Sequence, residues 1–73
     1  MEKKQLTQEQ IERISAGAHV RSNHVALLYA LYMEAAVVTD AQMQSLAQAN
    51  GVEVSLADAH ILRNDFEAIA LAR

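Results

Sequence analysis

The side chains with chemistry to offer are three histidines, four serines and a set of C-terminal carboxylates. Zinc held on a helix takes ligands three or four residues apart, usually with thiolate or carboxylate support. His19 and His24 stand five apart and His60 stands alone, in a chain with no cysteine. Five residues turn a helix by about 140°, so one face cannot present both His19 and His24. They read as surface or interface histidines. Ser15, Ser22, Ser45 and Ser55 lie in no strand–turn–helix elbow of the kind that exposes a nucleophile. Gly17 and Gly51 are the two glycines, too few for a phosphate-cradling loop. Asp58, Asp65 and Glu67 fall on a polar helical face, where carboxylates are ordinarily solvated. The expectation is a non-enzyme with no catalytic residue, no metal and no cofactor.

The elements that carry these residues are helices. The chain has 73 residues, no proline and 52% hydrophobic side chains, of which fourteen are alanine. That is one small domain, 1–73, with helical punctuation. Residues 1–5 read as a flexible tail. Three N-cap signatures recur. Thr7 can cap the Gln10 N–H while Gln10 reaches back, with Leu6 and Ile11 placed as a hydrophobic staple. Thr39, Gln42, Val38 and Met43 repeat the pattern. Ser55 begins a third, with Asp58 in place of the glutamine and Val54 and Ala59 as the staple. Asn50-Gly51 ends the helix begun at Thr39 in Schellman fashion, with Val52 folding back. Gly17 reads as the stop of the first helix. The expected fold is all-α, a small bundle of four short helices at about 8–16, 22–38, 40–50 and 56–71. Ile11, Ile14, Ala18, Val25, Leu28, Tyr32 and Ala35 also keep a 3–4 spacing that suits one continuous helix from Thr7 to Val38.

The second helix differs from the others. From Val25 to Val38, Glu34 is the only charge in fourteen residues. The run is shorter than the roughly 17–25 apolar residues that span a bilayer. It therefore reads as a buried helix. Three short neighbours are too few to cover it, so an apolar strip is expected on the folded monomer, and such strips mark protein interfaces. A two-fold homodimer is the simplest completion. The residues expected at the partner or dimer interface are Arg21, Val25, Leu28, Tyr29, Tyr32 and Met33, types enriched in interface cores.

Net charge is −3. Residues 1–33 carry four basic and three acidic side chains, and residues 34–73 carry two and six. Neither half is a basic patch for phosphates. Leu46-Ala47-Gln48-Ala49-Asn50-Gly51 followed by a capped helix resembles the start of a helix-turn-helix. That motif wants apolar residues six and nine after the glycine, where this chain has Ala57 and His60. Its second helix is acidic, with Asp58, Asp65 and Glu67 against Arg63. Nucleic acid is thus a poor expected partner, and a small helix-turn-helix regulator is the alternative function. The first expectation is a cytoplasmic protein-interaction module, a homodimer that binds a larger protein, with its acidic half facing a basic partner surface. In size and style the chain resembles short phage and mobile-element proteins that bind and block host proteins, anti-CRISPR inhibitors among them. That resemblance transfers no residue roles.

Overall fold

The computed structural model describes residues 6–71. The expected N-terminal tail, 1–5, lies outside them. The described residues form four α-helices and no strand: α1 Gln8–Ala18, α2 Ser22–Ala35, α3 Asp40–Ala49 and α4 Leu56–Leu71.

The capping chemistry sets most of the boundaries. In α1 the Gln10 N–H donates to Thr7 Oγ1 at 3.1 Å, and the Thr7 N–H donates to Gln10 Oε1 at 2.9 Å. In α3 the Gln42 N–H donates to Thr39 Oγ1 at 3.1 Å, and the Thr39 N–H to Gln42 Oε1 at 3.2 Å. These reciprocal bonds satisfy amides that a helix start leaves unpaired. Ser55 Oγ accepts the Asp58 N–H at 3.1 Å. The Asp58 carboxylate does not complete a box there. It turns instead to His19 Nδ1, 3.2 Å away across the bundle.

Each helix end has its own device. At the end of α3 the Val52 N–H reaches the Ala47 carbonyl at 2.9 Å and the Gly51 N–H reaches Gln48 at 3.1 Å. Gly51 has φ +79°, the left-handed conformation that this Schellman closure requires. Gly17 does not stop α1. It lies within the helix, and the left-handed residue is His19, with φ 59°. The Val20 N–H closes on the Ser15 carbonyl at 3.2 Å, and the Ser15 hydroxyl donates to the Val20 carbonyl. The chain therefore breaks between α1 and α2, and the continuous helix does not form. Helix α2 ends at Ala35, earlier than the expected Val38, because Ala36 takes φ 53°. The Val38 N–H is then drawn to Gln42 Oε1 at 2.8 Å. This swings Val38 outward, 69% exposed, so the expected Val38–Met43 staple is open. Val37 packs on the core in its place.

The core lies where the four amphipathic faces meet. Ile14 and Ala18, Val25 and Leu28, Met43 and Ala47, and Ala59, Leu62 and Phe66 are completely buried. Ala18, Ala47 and Ala59 supply little volume, and small side chains at a crossing let helix axes approach. Phe66 supplies the bulk. Its ring meets Tyr29 edge-on at 5.2 Å and Tyr32 at 5.5 Å.

Two stability changes follow. Phe66→Ala leaves a large void between α2 and α4 and costs about 3–5 kcal/mol, so a urea melt should show little or no folded baseline. Ala36→Gly relieves a side chain held at positive φ, a cost partly offset by the freer unfolded chain. The net gain is about 0.5 kcal/mol by those two effects, read as a melting point raised by about 3 °C.

Candidate functional site

α2 packs its inner face on all three other helices. Val25 and Leu28 are fully buried, and Tyr29 nearly so. These three were expected at a partner interface. They belong to the chain's own core, because Tyr29 and Tyr32 must meet Phe66 and Val25 and Leu28 lie on that same side. Of the six expected residues, Arg21 and Met33 are exposed and Tyr32 is half-buried.

The opposite side of α2 is open. Asn23, Ala26, Leu27, Ala30, Met33 and Glu34 are exposed, with Leu27 at 43% and Met33 at 45%. Leu31 borders them, half-buried. An apolar strip on the folded chain was expected. Its residues are Ala26, Leu27, Ala30 and Met33, of which Met33 alone was among the expected interface residues. Nothing in the sequence singled them out: Ser22, Asn23 and His24 are consecutive and spread their polarity over about 200° of the helix, which leaves Glu34 as the one charge of α2. At the C-terminal end of α2, Ala35, Val37, Ala41, Gln42, Ser45 and Leu46 line a groove of about 440 Å³ against α3.

The two ends of α2 are electrostatically bare. Arg21, its N-cap, makes no side-chain capping bond, and no acid stands in its first turn. Glu9, Asp40 and Asp58 occupy the first turns of the other helices. At the C-terminal end of α2 there is no base, and Glu34 stands there against the negative end of the helix dipole. Among the described residues Glu34 makes no ion pair.

A polar cluster sits at the α3–α4 contact. Asp40 accepts from Arg63 Nε at 2.8 Å and meets His60 Nδ1 at 3.0 Å, and Arg63 Nη1 lies 3.7 Å from Glu67. The Arg63 hydrogen bond holds the Asp40 carboxyl below the usual carboxylate range, partial desolvation opposes it, and His60 reinforces it. Desolvation, and then Glu67, pushes the Tyr32 phenol up. Asp40 also stabilises the positive end of α3, so the cluster ties α3 to α4. Among the described residues no three His, Asp or Glu side chains gather at metal-binding distance. The His19–Asp58 and His60–Asp40 pairs join residues 39 and 20 apart, which no local spacing foretells. No helix among the described residues is long and apolar enough to cross a membrane.

No protein-family model, curated protein or solved structure matches this chain. Its class is an all-α bundle of four helices with one apolar face turned outward.

Asp40 gives a pH signature. Its folded pKa is depressed, so its stabilisation is present above the unfolded value and is lost as pH falls through the folded one. The melting point should therefore fall as pH drops below about 4. Asp40→Asn should melt lower at neutral pH and flatten that acid limb in a thermal-melt series.

Proposed function

We propose that this chain is a small non-enzymatic protein-interaction module. The observation that carries the reading is the outward row of α2, where Ala26, Leu27, Ala30 and Met33 are exposed together on a folded chain. Grouped apolar residues on a small surface are costly to leave in water and mark interfaces. The module assembles through that row and works by occupying a surface of a larger protein. Its acidic half suits a basic surface there: Glu53 is exposed and Asp65 half-buried, and neither makes an ion pair among the described residues. Complementary charge guides such encounters.

Binding to duplex DNA has no comparable support. Six residues, 50–55, separate α3 from α4, longer than the three or four of a helix-turn-helix. Arg63, the single basic residue within α4 apart from His60, is engaged by Asp40. A helix entering the major groove needs cations free for phosphates.

A photo-crosslinking residue in place of Leu27 should yield covalent protein adducts in cells that express the chain. The same residue in place of Gln48, exposed on α3, should yield few. Adducts at position 48 and none at position 27 would overturn the reading.

A further inference from the structure

We infer that a second copy of this chain occupies the outward face of α2, packed antiparallel across a two-fold axis. The inference rests on the reading of that face as a docking surface, and it names the occupant.

The first argument is charge. α2 has a bare positive end, with Arg21 at its N-cap and neither an acid nor a side-chain cap. Its other end carries Glu34 and no base, an unfavourable placement beside the helix C-terminus. Antiparallel copies bring each Glu34 to the positive end of the other α2. Both ends are then compensated at once. A parallel pair would set Glu34 against Glu34, which repels.

The second argument is register. Asn23, Leu27, Ala30 and Glu34 are spaced four, three and four apart, the spacing of a helix–helix seam. Read backwards, that spacing is the same. A two-fold axis between positions 28 and 29 therefore sets Leu27 against the second copy's Ala30, and Asn23 against the second copy's Glu34. The large side chain meets the small one, twice, at the centre. The carboxylate meets an amide near the open helix start, twice, at the rim.

Light scattering after size exclusion, at about 100 µM chain, should give twice the 8.0 kDa mass of one chain. Leu27→Asp should weaken the dimer at least about 100-fold. Leu27 is exposed in the single chain, so the variant should keep its helical circular dichroism. Asn23→Glu sets a carboxylate against the second copy's Glu34 and should weaken the dimer about 10-fold, and adding Glu34→Lys should restore it. The chain has no cysteine, so Leu27→Cys mixed with Ala30→Cys should form a mixed disulfide faster than either variant crosslinks alone. Faster crosslinking of Leu27→Cys alone would overturn the antiparallel register. A wild-type mass of one chain would overturn the second-copy inference. If position 27 still captures a different protein in that case, the docking reading stands. If it captures none, both fall.

Discussion

All three aromatic rings of the chain meet in one place, and the packing of α2 follows from that meeting. Phe66 is fully buried, with Tyr29 and Tyr32 at 5.2 and 5.5 Å. Tilted and edge-on pairs of this kind add about 0.5–1.5 kcal/mol each beyond the area they bury. In a chain with one phenylalanine, two tyrosines and no tryptophan, there is no other source of comparable bulk. The cluster pins α2 to α4 and selects which face of α2 points inward. Tyr29 and Tyr32 carry Val25 and Leu28 in with them. Asn23, Leu27, Ala30 and Glu34 are left outside. Among the described residues the buried Tyr29 hydroxyl has no hydrogen-bond partner.

The polar contacts act around this cluster in a different way. Asp40 is an acid in the first turn of α3 and the acceptor for Arg63 and His60 of α4. It favours the start of one helix and holds the next beside it. Asp58 does the same between α4 and the end of α1, through His19. Every helix except α2 thus has its positive end capped and compensated within the chain. α2 has the opposite character: its inner face is buried against the other three helices, while its ends have neither an acid at the start nor a base at the finish and its outer face is exposed. Apolar exposure and bare helix ends fall on the same element, which is why one antiparallel neighbour can answer both.

Much of the fold was legible in local chemistry. Thr7 and Thr39, each with glutamine three residues later, announce helix starts because the bonds involved span a single turn. Gly51 announces a stop because a left-handed residue is needed there and glycine adopts it freely. The same reasoning misplaced the stop of α1 at Gly17, since His19 takes the left-handed position. It carried α2 on to Val38, since nothing about alanine marks Ala36 as left-handed. Both residues adopt conformations that their side chains disfavour. The demand comes from the next elements, Val20 closing on Ser15 and the Thr39 box drawing in Val38.

The sequence by itself determined an all-α chain, its capping boxes, its acidic C-terminal half and one helix too apolar for its neighbours to cover. Those properties depend on side chains within a turn of each other or on composition, and both can be read in order along the chain. Only the tertiary structure decided which side of α2 is covered. An all-round apolar helix carries no periodicity to orient it, so Val25, Leu28 and Tyr29 looked as eligible for an interface as Leu27 and Ala30. The choice was made by Phe66, 37 residues beyond Tyr29 in the sequence, and by the space its ring requires.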